Sequence, residues 1–182
     1  MPAPSAPPRL TPLIRDAYRA LIKDDLKPNY SITLVFNRGA ISEAEARDRL
    51  GKFLGSVDTL RLGQNYWRIR PEDRVRGIFF AENTGSNYHY HGSLFLQATE
   101  RMPDLNVLVN KLDGIWRAIV PSGNVDCKAH DDAVPHLSVT GWSRYSTKQL
   151  CSTPHAPVFA GEFHSYRLGG GLSTRASSRM IH

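Results

Sequence analysis

Residues 75–97 read VRGIFFAENTGSNYHYHGSLFLQ, and this stretch is the most informative part of the sequence. Its two apolar runs, Val75–Glu82 and Tyr88–Gln97, are rich in the branched and aromatic residues that favour β-strands. The polar sequence Asn83–Asn87 between them is typical of a turn, and Gly85-Ser86 at its centre suits a two-residue loop. The stretch therefore predicts a β-hairpin.

Three polar side chains of this hairpin fall on one face of the predicted sheet. With Gly85-Ser86 as the loop, Glu82 lies directly opposite His89, and opposed side chains share a face. His91 lies two residues further along the strand and projects from the same face. Two imidazoles and one carboxylate suit a divalent ion that keeps open positions for phosphate oxygens. The alternative interpretation is that the histidines are only a polar or hydrogen-bonded strand face.

A second group of chemically useful residues lies within residues 139–150, which read VTGWSRYSTKQL. This sequence predicts a short helix. In a helix, Tyr145 and Lys148 are three residues apart and therefore neighbours on one face. A free phenol ionises at about pH 10, so at neutral pH it is a poor nucleophile unless a cation or a base lies beside it. Lys148 and a bound metal both meet that need. Alternatively, Tyr145 and Trp142 are packing residues and Lys148 is solvated.

Taken together, three ordered motifs resemble those of the single-tyrosine replication initiator (Rep) endonucleases of the HUH superfamily. The motifs are Ser31-Ile-Thr-Leu-Val-Phe-Asn37, Glu82 with His89-Tyr90-His91, and Tyr145-x-x-Lys148. The resemblance spans about residues 30–150. Tyr90 stands where the family usually has a bulky apolar residue, and the first motif is a loose match whose nearest threonine is Thr33.

The resemblance implies that the protein nicks single-stranded origin DNA, as its relatives do on rolling-circle plasmids and viruses. Carried over by position, His89 and His91 become metal ligands, Glu82 the third ligand, Tyr145 the nucleophile and Lys148 its helper. The expected cofactor is a divalent ion, Mg²⁺ or Mn²⁺, and the expected intermediate is a 5′-phosphotyrosine with a free 3′-hydroxyl. The sequence has no glycine-rich phosphate-binding loop with a lysine, so a helicase and a host polymerase are expected as separate partners.

Other functions use some of the same residues. A transposase or a conjugative relaxase also combines a histidine pair with a tyrosine, although relaxases usually have a third histidine. A non-catalytic module for single-stranded nucleic acid would stack bases on Tyr88, Tyr90 and Phe95. A metal-dependent hydrolase of small phosphoesters would use water as its nucleophile.

Composition limits these choices only broadly. A chain of 182 residues with 41% hydrophobic residues is long enough for one well-cored domain. A net charge of +6 and a pI near 9.5 favour polyanionic partners. Cys127 and Cys151 are too few for a disulfide framework or a zinc knuckle, which favours a reducing compartment. Without an apolar signal-peptide core or a membrane-length run, we predict a soluble protein of the bacterial cytoplasm, or of the host nucleus if it is viral in a eukaryote.

Periodicity gives the order of the remaining elements. Helices are predicted over 12–23, from the Ser42 cap through about 54, and from Asp104 to 119; strands are predicted over 31–37, 66–69, 75–82, 88–97, 124–128 and near 136–139. This order favours an α+β fold with a largely antiparallel central sheet and helices packed on one face. The metal ligands, with the tyrosine helix across them, belong on the opposite face; the resemblance implies the same RRM-like palm.

The predicted domain organisation has three parts. Residues 12–150 form the endonuclease-like domain, preceded by a proline-rich flexible extension over 1–11 and followed by a C-terminal arm and flexible tail over 151–182. Trp116 is predicted to be a core residue. The other histidines, which have no spacing that joins them to the cluster, are expected at surface or structural positions: His130, His136, His155 and His164.

Overall fold

A five-stranded antiparallel sheet organises the chain in the computed structural model, which describes residues 12–83, 85–150 and 155–164. The strands are β1 (Tyr30–Val35), β2 (Arg76–Glu82), β3 (His89–Phe95), β4 (Asn124–Ala129) and β5 (Val158–Phe159). The α-helices are α1 (Pro12–Ala20), α2 (Glu43–Leu62), α3 (Leu105–Ile119) and α4 (Val139–Ser146). A π-helical segment follows α1 over Leu21–Leu26, and three 3₁₀ turns lie at Tyr66–Arg68, Pro71–Asp73 and Ala160–Phe163. The predicted α+β class with an antiparallel sheet is confirmed.

The strand order is β4-β1-β3-β2-β5, so the hairpin of β2 and β3 occupies the middle of the sheet. The connection between its two strands covers residues 83–88, so it is longer than the predicted two-residue loop. The hairpin register nevertheless pairs Glu82 with His89, as predicted. The ladder ends at that pair, and Asn83 then turns the chain with a left-handed backbone at φ 50°. The amide of Ser86 donates to the Asn83 carbonyl at 3.1 Å and closes the turn.

One face of the sheet carries the main hydrophobic core, which α2 and α3 cover. Apolar residues that alternate along the strands face this core: Ile32, Leu34, Phe79, Ala81, Tyr90 and Leu94. Trp116 of α3 is fully buried among them, as predicted, and its indole N–H donates to the Val35 carbonyl at 2.8 Å. Because successive side chains of a strand point to opposite faces, the other residues of β1, β2 and β3 project to the side away from the two long helices.

The opposite face is also covered in part, by α1, the π-helical segment and α4. A smaller apolar cluster joins these elements to β2: Ile22, Ile78, Phe80 and Leu150, with Tyr18, Leu21, Leu26 and Val139 packed against it. The prediction of α4 across this face agrees with the structure. The expectation that the remaining helices pack on one face alone was incomplete, because α1 and its π-helical continuation lie on the α4 side.

Two predicted strands do not form. Residues 66–69 instead contain a 3₁₀ turn, which the Ile69 amide closes by donating to the Tyr66 carbonyl at 3.0 Å. Tyr66 is buried in this turn, while Ile69 is 37% exposed. The guanidinium of Arg74 lies 4.9 Å from the Tyr66 ring centroid and holds it in place. Residues 136–138 are turns, because Ser138 caps α4 by accepting a hydrogen bond from the Gly141 amide at 3.0 Å.

Helix α2 begins at its predicted cap but runs further than predicted. The Ser42 hydroxyl accepts from the Glu45 amide at 3.1 Å, as the capping pattern indicated. The helix continues past residue 54 to Leu62, and Gly51 within it allows close packing instead of ending the helix. A Cβ atom on Gly51 would lie 2.7 Å from the Phe163 ring. The sequence shows two glycines and no sign of the aromatic ring that fits against one of them.

The predicted C-terminal arm contributes to the sheet through β5, which pairs with the β2 edge at Ile78 and Phe79. Phe163 follows and packs into the main core at 5% exposure. The predicted extension over 1–11 and tail beyond 164 lie outside the described residues. Among the described helices, none combines the length and the apolarity that a membrane crossing requires.

Candidate metal centre and tyrosine

The hairpin brings Glu82, His89 and His91 together on the face opposite the main core. The Nε2 atoms of His89 and His91 lie 3.5 and 3.4 Å from the same carboxylate oxygen, Glu82 Oε2. Their ring centroids are 4.8 Å apart and nearly perpendicular. Glu82 is 1% exposed, and His91 is almost equally buried. The three predicted ligands therefore form one compact group inside the protein.

Hydrogen bonds on the far side of each imidazole fix which nitrogen faces Glu82. His89 Nδ1 lies 2.9 Å from the carbonyl oxygen of Asn87, and since a carbonyl only accepts, that nitrogen carries the proton. In neutral His89 the Nε2 lone pair is consequently free to bind a cation. His91 Nδ1 lies 3.0 Å from the Thr33 hydroxyl on β1. Such outer hydrogen bonds orient the histidines of metal sites.

The charge balance of the cluster rests on Glu82. Burial by itself raises the pKa of Glu82, but the imidazoles of His89 and His91 beside its carboxylate and the charge of Lys148 overcome that effect and lower the pKa to about 2. The hydrogen bond to Glu82 raises the pKa of His89. Burial lowers the pKa of His91. At neutral pH the carboxylate is therefore ionised and His91 favours the neutral form that binds metals.

The residues fit a metal ion by their unmet bonding capacity. Glu82 Oε1 and His91 Nε2 are buried, and neither has a hydrogen-bond partner within the described structure. Ligand atoms on one octahedral ion at about 2.1 Å lie about 3 Å apart. The two separations between imidazole nitrogen and carboxylate oxygen, near 3.5 Å, are close to that value, and the three ligand atoms all lie within 4.8 Å of one another. The group can hold a metal ion. No third histidine joins this group in the part of the chain that the structure describes.

Helix α4 places Tyr145 over this cluster. The Tyr145 ring lies 4.8 Å from the His91 ring, centroid to centroid, and it stacks on Trp142 at 5.4 Å with an interplanar angle of 30°. The tyrosine side chain remains 46% exposed. The predicted nucleophile is thus both beside the predicted metal ligands and open to a substrate.

Lys148 connects the tyrosine to the carboxylate. Its Nζ lies 3.8 Å from the Tyr145 ring centroid and 3.4 Å from Glu82 Oε2. Burial lowers the pKa of Lys148, but its hydrogen bond to Tyr145 and the charge of Glu82 outweigh that effect and raise it. The predicted neighbour relation with Tyr145 holds, although Lys148 lies in the turn after α4, where its amide donates to the Tyr145 carbonyl at 3.1 Å.

Two residues of the site had no such role in the sequence analysis. Thr33 reaches His91 because the register of β1 and β3 places the two residues opposite each other, and the sequence alone does not indicate that register. Trp142 was assigned no more than packing, yet it contacts both His91 and Tyr145. The base-stacking alternative loses two of its three aromatic residues, because Tyr88 and Tyr90 are buried in the main core.

The other histidines that the structure describes occupy the structural or surface positions expected of them. His130 and His164 bond to the backbone carbonyls of Leu137 and Val75, at 2.8 and 3.2 Å. His155 pairs with Glu43 at 2.8 Å, and His136 is exposed. None of them is a member of the ligand group.

Comparison with known proteins returns no match to a family model, to a curated protein or to a solved structure. The geometry of the site is therefore the basis on which a function is assigned.

Proposed function

We propose that this protein nicks and rejoins single-stranded DNA at a replication origin, with Tyr145 as nucleophile and a divalent ion on Glu82, His89 and His91. The observation that carries the proposal is the position of Tyr145, whose ring lies 4.8 Å from that of His91 with Lys148 between it and Glu82. A nucleophile, a cationic side chain and a metal-binding group within one patch are what such a reaction requires.

Each residue has a separate task in this mechanism. Glu82, His89 and His91 would hold Mg²⁺ or Mn²⁺, which would polarise a non-bridging oxygen of the scissile phosphate and neutralise the charge that develops on it. Thr33 and the Asn87 carbonyl keep both imidazoles turned toward Glu82. The Lys148 ammonium stabilises the phenolate of Tyr145 as the hydroxyl proton leaves to water.

The bond changes balance within one transesterification. The Tyr145 oxygen bonds to phosphorus in line with the departing 3′ oxygen, and the bond between phosphorus and that oxygen breaks. The 3′ oxygen takes a proton and becomes a free hydroxyl that can prime synthesis. The 5′ phosphate stays on the tyrosine, so the same hydroxyl can reverse the reaction and rejoin the strand.

The overall charge of the chain supports a polyanionic substrate. The net charge is +6, and Lys128 on β4, which lies opposite Ser31 of β1, is exposed on the same face as the cluster, where it forms an ion pair with Asp126 at 2.9 Å. We propose that the DNA strand runs over β1 and β4 beside the cluster, with a separate helicase and a host polymerase completing replication. Basic side chains bind such a strand through its phosphates, without regard to sequence.

The test is to incubate the protein with Mn²⁺ and a pool of single-stranded oligonucleotides, and to look for a DNA adduct by denaturing gel and mass spectrometry. We expect an adduct on Tyr145 that EDTA prevents. Tyr145→Phe should abolish the adduct while DNA binding stays nearly intact, because the ring and its contacts remain. Tyr18→Phe is the matched control, since Tyr18 is a partly buried tyrosine that packs on Phe80.

Three outcomes would contradict the proposal. Equal loss of binding and adduct in Tyr145→Phe would remove the nucleophile role. Tight DNA binding with no adduct on any sequence would favour a non-catalytic binding module. Metal-dependent phosphoester cleavage that survives Tyr145→Phe would favour a hydrolase with water as nucleophile.

A further inference from the structure

Trp142 is the residue that joins the tyrosine helix to the metal-binding strand. Its indole N–H donates a hydrogen bond to the Gly92 carbonyl at 3.0 Å, and Gly92 is the residue after His91. The indole also meets the His91 ring nearly edge-on, with 5.5 Å between the centroids. Its other contact is the stacked ring of Tyr145. One side chain therefore touches the predicted ligand, the backbone beside it and the predicted nucleophile.

The contacts of Tyr145 explain why its link to β3 through Trp142 is important. The tyrosine is 46% exposed and lies in the last turn of a helix of eight residues. Trp142 lies three residues earlier on the same helical face, so the two rings stack along the helix. The remaining ring contacts of Tyr145 are His91 and the partly exposed Lys148. His91 is part of β3 itself, and Trp142 connects the tyrosine helix to that strand through its hydrogen bond to the Gly92 carbonyl.

We infer that Trp142 is a positioning residue, which holds the Tyr145 ring at a fixed distance and angle from the ligand cluster. The inference rests on the proposed function, because it assigns the means by which Tyr145 is aimed. Trp142 does not itself bind the metal or the phosphate. Its loss should therefore slow adduct formation and leave metal affinity unchanged.

Two substitutions separate the two parts of the indole. Trp142→Phe keeps a ring to stack on Tyr145 and removes the N–H donor to Gly92, whereas Trp142→Leu removes both. A misplacement of about 1 Å in a reacting group costs on the order of 100-fold in rate. We expect single-turnover adduct formation to fall about 10-fold in the phenylalanine variant and about 100-fold in the leucine variant. Trp67→Phe, in the 3₁₀ turn before β2, is the matched control and should react at the wild-type rate.

The second readout needs no DNA. Mn²⁺ relaxes nearby nuclei with a steep dependence on distance, so protein with ¹³C-labelled tyrosine rings reports how far Tyr145 lies from the bound ion. The Tyr145 signal is assigned as the one missing from Tyr145→Phe. We expect strong relaxation of that signal in wild type and in Trp67→Phe, and clearly weaker relaxation in Trp142→Leu, at equal Mn²⁺ occupancy.

The outcomes distinguish this inference from the proposed function. If Mn²⁺ relaxes Tyr145 in a Trp142-dependent way but no DNA adduct forms, the positioning role stands and the nicking function fails. If the leucine variant forms the adduct at the wild-type rate, or if the Tyr145 relaxation does not depend on Trp142, the inference is wrong. Loss of Mn²⁺ affinity in both Trp142 variants would also overturn it, because the residue would then support the ligand strand in general.

Discussion

At the scale of single residues, one carboxylate oxygen accounts for most of the site. Glu82 Oε2 lies within 3.5 Å of the Nε2 atoms of His89 and His91 and of the Lys148 ammonium. The pairing of Glu82 with both histidines could be predicted from the hairpin register alone. The approach of Lys148 to Glu82 could not, since its spacing indicated only that it neighbours Tyr145 on the helix. That contact depends on how α4 lies across the sheet.

The ion pair between Lys148 and Glu82 leads to a prediction with opposite effects on binding and rate. In Lys148→Met the ammonium no longer competes for the carboxylate, so we expect Mn²⁺ to bind several-fold more tightly. Adduct formation on DNA should nevertheless slow, because the Tyr145 phenolate then has no ammonium group beside it and depends on the metal ion alone. Mn²⁺ titration by calorimetry and single-turnover assays at saturating Mn²⁺ measure the two effects separately.

Lys128→Met is the control for this change in charge. Lys128 lies on the same face of the sheet, but its ion pair is with Asp126, at 2.9 Å, and not with Glu82. Mn²⁺ affinity should stay close to the wild-type value in this variant. Weaker Mn²⁺ binding in Lys148→Met would show that the lysine supports the cluster instead of competing for it.

At the scale of elements, β3 has glycine at position 92 because its neighbours leave no room for a side chain. A Cβ atom there would lie 2.5 Å from the Phe79 ring on β2 and 2.8 Å from Ile32 on β1. The bare backbone at Gly92 lets the two core residues meet, and its carbonyl accepts the Trp142 hydrogen bond. The middle strand therefore links the main core on one face to the tyrosine helix on the other.

We expect Gly92→Ala to lower the free energy of unfolding by about 1–3 kcal/mol, since the added methyl group forces the Phe79 ring aside. Gly114→Ala is the matched control. Gly114 lies in α3, where a Cβ atom meets nothing within 4 Å, so alanine should stabilise the protein by about 0.5–1 kcal/mol. Urea unfolding followed by circular dichroism measures both changes. If Gly92→Ala is as stable as wild type, β2 and β1 move aside for the added methyl group at less cost than their packing indicates.

The hairpin and α3 were predictable at this scale, the hairpin from two apolar, β-favouring runs around a polar turn and α3 from apolar residues at helical spacing. Residues 66–69 were not, because the burial of Tyr66 beside the Arg74 guanidinium is a contact between side chains in a 3₁₀ turn that no local pattern indicates. The pairing of β5 with β2 joins residues far apart in sequence, and no local pattern indicates it. Local sequence patterns therefore predicted the elements that carry the metal ligands better than the segments that close the edges of the fold.

At the scale of the whole molecule, a buried ion cluster around Asp58 holds separate segments together. The Asp58 carboxylate, on α2, accepts hydrogen bonds from Arg61 at 3.1 Å, from Arg74 at 3.2 Å and from the Val75 amide at 2.9 Å. Arg61 also donates to the Gln97 carbonyl after β3. The sequence shows only an Asp and an Arg three residues apart on a helix, a pattern typical of exposed pairs. Their burial arises because α2 crosses the segment that leads into β2.

Removing one charge from this cluster should destabilise the whole fold and leave the metal site unchanged. In Asp58→Asn two buried guanidinium groups lose their counter-charge, so we expect the free energy of unfolding to fall by about 3–5 kcal/mol. Asp48→Asn, which breaks an exposed pair with Lys52 on the same helix, should change it by less than about 0.5 kcal/mol. Mn²⁺ affinity, measured where both variants remain folded, should match wild type, since Asp58 is not a member of the ligand group. An Asp58→Asn protein as stable as wild type would show that water or a backbone shift compensates both arginines. A variant of normal stability with weakened Mn²⁺ binding would instead connect this cluster to the metal centre across the sheet.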